Sequence, residues 1–279
     1  MQITKSECMM FLKHPAWLWL KKHDKKKRPP PDDNLQAMFD AGNKFEAYAE
    51  QLFPAGTRLG FDSYAEYKSL PERTTKALQD GATTIFQGRF EYEQLTFICD
   101  VIQVVGGKEV DLFEIKSSTK VKLDHELDLA FQLVVLEGCG FTVRNIAVVH
   151  VNNEYTRQGA IDVPAFTITT DITEAVKARR DQTKRDIQAA LQVVGESSMP
   201  DPSPARCKLG SLKEWMEVYK GLATIEPGSI YDLTRISPET IGLLQQDGVE
   251  QLADIPDGFA LSDKQALQLR ATKLGEPIV

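Results

Sequence analysis

Val110-Asp111-Leu112-Phe113-Glu114-Ile115-Lys116-Ser117-Ser118 is an apolar stretch in which Glu114 and Lys116 stand two apart. On a strand, residues i and i+2 point to the same side, so Glu114 and Lys116 share one side and Ile115 faces away. Just upstream, Phe97-Ile98-Cys99-Asp100-Val101-Ile102 is apolar except for Asp100. An unpaired carboxylate in such a run is costly. Gly106-Gly107 supplies a turn between the two stretches. A hairpin there brings Asp100 toward Glu114 and Lys116.

The pattern predicts strands over Thr83 to Phe90, Leu95 to Val104 and Val110 to Lys116, a helix over Leu127 to Leu136, and a buried strand over Asn145 to Asn152. Upstream, one helical pattern runs from Lys5 to His23, interrupted by Pro15. A second runs from Asn34 to Leu52 on Leu35, Met38, Phe39, Phe45, Ala49 and Leu52, after the break at Pro29–Pro31, Asp32 and Asp33. Residues 61–80 form a connecting helix. Downstream come a short strand at Phe166 to Ile168, a helix from Thr173 to Val194, a linker at 196–206, and short helices from Leu209 on. The expected class is α/β, a mixed sheet flanked by helices. Residues 1–200 form the main domain and 208–279 a small all-helical appendage. No internal repeat stands out.

Composition sets few limits. The chain has 279 residues, 42% hydrophobic and 26% charged, and a net charge of -7. No apolar run approaches the roughly 20 residues that a membrane span needs. Met1 to His14 shows no signal-peptide pattern, so a cytoplasmic protein is expected. Cys8, Cys99, Cys139 and Cys207 lie far apart, as reduced thiols do in a cytosolic protein. The acidic balance leaves room for a local phosphate-binding strip. Lys21, Lys22, Lys25, Lys26, Lys27 and Arg28 form one, and a solvated helix end accounts for it as well.

Two carboxylates, Asp100 and Glu114, suit a hard divalent cation, and the Ile115 carbonyl adds a third oxygen. Such a cation polarises a phosphate and lowers the pKa of a bound water. Lys116 then holds that water or the developing negative charge. Read alone, a Glu-x-Lys strand is more often an exposed ion pair.

Cys99-Asp100-Val101-Ile102, Phe113-Glu114-Ile115-Lys116-Ser117-Ser118-Thr119 and Asp128-Leu129-Ala130-Phe131-Gln132 together resemble the RecB-like branch of the PD-(D/E)XK nucleases. The resemblance spans roughly residues 6–150. It implies a restriction-endonuclease-like αβββαβ core and Mg2+- or Mn2+-dependent cleavage of DNA. It implies Asp100 and Glu114 as metal ligands, Lys116 as the catalytic lysine and Gln132 as the polar residue of the following motif. In Gly42-Asn43-Lys44-Phe45-Glu46-Ala47-Tyr48-Ala49-Glu50, Glu46 stands where these nucleases often have a metal-reaching histidine. A solvated helix glutamate is the even alternative. Leu136 stands where a tyrosine is often found. Pro15-Ala16-Trp17-Leu18-Trp19-Leu20 matches a segment usually opened by cysteine, and His14 replaces it. Cys207 has no companion cysteines nearby, so no iron–sulfur cluster is expected. Trp17 and Trp19 read as core or interface residues. His125 reads as a helix-start residue, with Asp128 one turn before Gln132.

At the C-terminus, Ile241-Gly242-Leu243-Leu244 and Gly248-Val249-Glu250-Gln251-Leu252 have a helix–turn–helix rhythm faintly like a helix-hairpin-helix. Such a hairpin offers backbone N–H groups to DNA phosphates. A packing or partner-binding module fits as well. For the whole chain, the readings that compete with a DNA nuclease are a degenerate nuclease fold that binds nucleic acid or a partner, and an unrelated α/β protein with a surface Glu-x-Lys pair.

Overall fold

The hairpin expected around Gly106-Gly107 forms, and its outer strands bend where the sequence pattern runs straight. The computed structural model describes residues 1–27 and 33–275, with residues 33–40 described by their backbone only. Arg28, Pro29–Pro31 and Asp32, and the side chains of Asp33, Leu35, Met38 and Phe39, lie outside the described residues.

The chain opens with β1 (Ile3–Thr4), α1 (Lys5–Lys13), α2 (Pro15–His23), α3 (Asp33–Ala49), β2 (Thr57–Arg58) and α4 (Tyr64–Gln79). Five strands follow: β3 (Thr84–Phe86), β4 (Arg89–Tyr92), β5 (Leu95–Ile98), β6 (Val101–Gly106) and β7 (Glu109–Lys116). Next come α5 (Leu123–Gly138), β8 (Thr142–Val151), α6 (Val163–Phe166), β9 (Thr167–Asp171) and α7 (Thr173–Gly195). The last helices are α8 (Leu212–Tyr219), α9 (Pro238–Gln246) and α10 (Asp263–Leu274). Chain contacts divide these into two units, Met1–Met9 with Pro30–Gln192 and Met10–Pro29 with Val193–Val279.

In the first unit a six-stranded mixed sheet runs β2-β3-β6-β7-β8-β9, and a three-stranded sheet runs β1-β5-β4. Two expected strands are therefore each broken in two. Thr83 to Phe90 divides at Gln87, whose φ of 55° is left-handed, followed by Gly88. Leu95 to Val104 divides at Cys99-Asp100. The pair stays connected across the crease, because the Gln87 N–H donates to the Asp100 carbonyl and the Cys99 N–H to that of Gly88. The apolar alternation reads the same on both sides of such a crease, so periodicity does not reveal it.

Antiparallel β6 and β7 pair Val101 with Phe113, which sets Asp100 at the level of Glu114. Parallel β8 pairs with the other edge of β7, with Glu114 against Val148 and Lys116 against His150. Ile115 turns away into a buried cluster with Phe45, Ala49, Phe53, Phe86, Val101 and Val149. The opposite side of β7 faces α5, which begins a turn earlier than its apolar run because Asp124 and His125 form its first turn.

The second unit is helical. The expected helix from Lys5 to His23 is two helices, because Pro15 cannot continue the first. His14 caps the second by accepting the Ala16 N–H on Nδ1 at 3.2 Å. Its ring stacks on Trp215 at 3.9 Å, and Ala16, Leu20, Cys207, Trp215 and Val218 form one buried cluster.

The C-terminal residues contain a duplication that the sequence reading missed. The Ile230 N–H donates to the Glu250 carbonyl, and the Leu252 N–H donates to that of Gly228. Each arm continues as a three-residue 3-10 turn, Ile230–Asp232 or Leu252–Asp254. Each then enters a helix capped by serine, Ser237 for α9 and Ser262 for α10. Ile230, Leu233 and Leu244 share a core with Leu252, Ile255 and Leu269. Gly248-Val249 thus leads into a 3-10 turn and not directly into a second helix, so the helix-hairpin-helix likeness fails at that step.

Candidate active site

Glu114 is the centre of the site. It is fully buried on β7, and its Oε1 accepts from Lys116 Nζ at 2.6 Å and from Lys5 Nζ at 2.9 Å. Its Oε2 accepts from Gln132 Nε2 at 2.7 Å. Asp100 Oδ2 accepts the Ile115 N–H at 2.8 Å. Asp128 Oδ2 lies 3.6 Å from both Lys5 and Lys116. The structure therefore brings together Asp100, Glu114, Lys116 and Gln132, and adds Lys5 and Asp128.

Local sequence explains each position. Gln132 and Asp128 stand one helical turn apart on α5 and share its face toward β7. His125 opens that helix and accepts the Lys122 N–H at 3.3 Å. Burial, with help from Lys116 and Lys122, holds its pKa down to about 4, so it is neutral at pH 7. Lys5 arrives through β1. Ile3–Thr4 pairs in parallel with Leu95 and Thr96, and the next residue opens α1. A capping box fixes that entry: the Thr4 N–H donates to Glu7 Oε2 at 3.0 Å and the Glu7 N–H to Thr4 Oγ1 at 3.2 Å. The Thr4-Lys5-Ser6-Glu7 spacing was the available signal for an ordered helix start.

Glu46, on α3, accepts a short hydrogen bond from the Gln87 side chain at the crease. Burial raises its pKa, with repulsion from Glu50 and Glu114 adding to the shift against the pull of Arg58. It lies within the field of Glu114, and Gln87 ties it to the Asp100 turn. The main chain at Ile115 meets Asp100 through its N–H.

The electrostatics are tense. Burial pushes the Asp100 carboxyl up to about 7, and Glu114 beside it adds repulsion. Burial likewise pushes Asp128 up to about 6, against the pull of Lys5 and Lys116. Burial also opposes ionisation of Glu114, yet Lys5 and Lys116 outweigh it and hold that carboxyl below the usual carboxylate range. Burial disfavours the Lys5 ammonium, but Asp128, Glu114 and Asp100 outweigh it and raise its pKa. Lys116 is raised in the same way, chiefly through Glu114.

Two buried oxygens, Asp128 Oδ1 and Gln132 Oε1, have no hydrogen-bond partner. An unsatisfied buried acceptor costs about 1–3 kcal/mol, which a hard cation would offset. These orphaned oxygens and the crowded carboxylates fit an oxygen-seeking divalent ion. The lysines sit among the same donors, and among the described residues no three His, Cys, Asp or Glu side chains close on a common point.

The other sequence candidates fall elsewhere. Lys25, Lys26 and Lys27 are exposed on a 3-10 turn, and Lys27 pairs with Asp24. The duplicated C-terminal turns and helices carry exposed Glu226, Asp232, Glu239, Asp247, Glu250, Asp254, Asp257 and Asp263 against Arg235, Lys264, Arg270 and Lys273, the last paired with Asp257. That charge repels a phosphate backbone. No helix among the described residues is long and apolar enough to cross a membrane.

No family model and no curated protein matches the chain. Among solved structures, LHK-Exo in complex with dAMP is similar at 13% identity and a TM-score of 0.40, over 80% of this chain and 95% of that one. A phage related exonuclease from Haemophilus somnus 129PT is similar at 13% identity and a TM-score of 0.30, over 70% of this chain and 93% of that one. Likenesses at this level assign this chain no activity; its fold is the mixed α/β sheet flanked by helices described above.

Proposed function

We propose that the chain is a divalent-cation-dependent DNA nuclease, using Mg2+ or Mn2+ and acting on DNA ends as an exonuclease in repair, recombination or defence. One observation carries the reading: Asp100, Glu114 and Lys116 meet on the bent hairpin, with the Asp100 carboxyl raised to about 7 beside Glu114. Strongly perturbed carboxylates beside a lysine are a recurring feature of functional sites.

Asp100 and Glu114 would hold the cation, with the Ile115 carbonyl and Glu46 as further oxygens. When bound, the cation would polarise the phosphate and acidify a water. Lys116 would stabilise the attacking water or the negative charge that develops on the phosphate. Gln132 fixes Glu114 through its amide, so that only one carboxylate oxygen of Glu114 faces the lysines.

A second reading, a degenerate nuclease fold that binds nucleic acid or a partner, draws on one feature: two ammonium groups already hold Glu114 Oε1. Incubation with linear, circular and single-stranded DNA, in Mn2+, Mg2+ or chelator, separates the two. Lys116→Ala is expected to lower cleavage by roughly 100-fold or more, the scale seen when a group stabilising transition-state charge is lost. Cleavage that survives both chelator and Lys116→Ala would defeat the nuclease reading. Binding without cleavage in every cation would favour the second.

A further inference from the structure

Lys5 stands in an unusual place. It is the first residue of α1, where the helix dipole disfavours a positive charge. Its side chain is only 19% exposed, and its ammonium lies 2.9 Å from Glu114 Oε1 and 3.6 Å from Asp128 Oδ2. Lys116 already supplies one cation to Glu114 Oε1 and Asp128 Oδ2, and Lys5 supplies a second to the same two oxygens. No packing requirement explains two ammonium groups on one carboxylate oxygen. Mutual repulsion works against two ammonium groups held on the same two oxygens. The donor set they occupy is also the one with two oxygens left over, Asp128 Oδ1 and Gln132 Oε1. A cluster that satisfies its carboxylates with ammonium groups while leaving Asp128 Oδ1 and Gln132 Oε1 without a donor can exchange an ammonium for a divalent cation.

We infer that Lys5 is a built-in competitor of the divalent cation: its ammonium holds Glu114 and Asp128 together in the cation-free chain, and a divalent ion must displace it. Asp128 then belongs to the cation-binding set. Lys5 is a positioning residue that sets the cation concentration at which the site loads. The inference rests on the nuclease reading only in taking Glu114 as a cation ligand. Attachment through β1 and the Thr4–Glu7 capping box anchors the Lys5 backbone, so loading moves only its side chain.

The test measures Mn2+ affinity by titration calorimetry and the Mn2+-induced rise in melting temperature, on the full chain without DNA. Three forms are compared: wild type, Lys5→Met and Lys5→Arg. Lys5→Met is expected to bind Mn2+ roughly tenfold more tightly or better, the effect of removing one nearby positive charge in a partly screened site. It should also melt lower in chelator and gain more on Mn2+ addition. Lys5→Arg, which keeps the charge, should stay near wild type, whereas a purely structural role for Lys5 would make both variants bind alike. If Lys5→Met is unfolded in chelator, folding on Mn2+ addition supports the inference, and failure to fold at any Mn2+ concentration overturns it. Equal or weaker Mn2+ binding by folded Lys5→Met overturns the inference and leaves the nuclease reading standing. No Mn2+ binding by any of the three forms brings down both.

Discussion

The two units treat buried charge in opposite ways. The first sets Lys5 and Lys116 against Glu114 and Asp128, with Asp100 on the neighbouring main chain at Ile115. The second keeps its carboxylates outside and builds cores from Ile, Leu, Val and Trp. Its one fully buried ionisable side chain among the described residues, His14, is held neutral, its pKa lowered by burial to about 4. A core evolved for stability alone has no need of buried ions, because apolar residues of similar volume serve as well or better. The first unit therefore keeps buried ions that its stability does not require.

The largest effect expected from breaking this contrast is at Glu114. Glu114→Ala leaves two half-buried lysines with only the more distant Asp128 as a common acceptor. Stability should fall by about 3–5 kcal/mol, as for loss of one partner in a buried ion pair. Urea unfolding measures it, and a loss below 1 kcal/mol would mean that water reaches the lysines freely. Glu114→Gln, which retains the shape, should abolish DNA cleavage as fully as Glu114→Ala.

In the second unit the corresponding break is a cavity and not a charge. Trp215 is fully buried, stacks on His14 and donates its indole N–H to the Pro202 carbonyl at 3.0 Å. Trp215→Ala should cost about 3–4 kcal/mol through lost packing. Unlike Glu114→Ala, it should show no dependence on Mn2+. A Mn2+-dependent loss in urea unfolding would contradict this difference between the units.

The site was partly legible in the sequence, for a physical reason that also marks its limit. Glu114 and Lys116 could be placed because a strand has period two, and Asp100 because a carboxylate stands out in an apolar run. Gln132 followed from the motif. Lys5 was not legible, because a lysine near a helix start normally extends into solvent, and its partners lie more than 100 positions away in the chain. The crease at Gln87 and Asp100 was hidden because crossing between sheets leaves the apolar alternation intact. The C-terminal duplication escaped because its matched residues do not keep one spacing: Ile230 and Leu252 are closer together than Ser237 and Ser262.

A smaller effect separates the units by pH. The unfolded chain protonates His14 near 6.5, and the folded chain only near 4. The stability that depends on neutral His14 is complete above pH 6.5 and falls as the pH drops toward 4, by about 3 kcal/mol in full. Asp100 and Asp128 act in the opposite sense, since their folded pKa values are raised and acid relieves them. The difference between wild type and His14→Gln in urea at pH 7 and pH 4.5 isolates the histidine. The wild type should lose its advantage over the variant at the lower pH, and a constant difference would show that His14 is not kept neutral.

The smallest effect is the most selective. Helix caps occur in both units: Thr4 and Glu7 open α1, and Ser262 with Gln265 opens α10, where the Ser262 N–H donates to Gln265 Oε1 at 3.1 Å. Thr4→Ala and Ser262→Ala should each cost about 1 kcal/mol, because the same kind of cap is lost. Only Thr4 sits next to a residue of the charge cluster. Loosening that helix start frees Lys5 to leave Glu114 and Asp128, so Thr4→Ala should tighten Mn2+ binding slightly, by about twofold to threefold, less than Lys5→Met because the charge is retained. Ser262→Ala should leave Mn2+ binding unchanged. Matching melting temperatures with diverging Mn2+ affinities would separate the positioning of Lys5 from general stability, whereas equal shifts in both quantities would show that the α1 cap serves the fold alone.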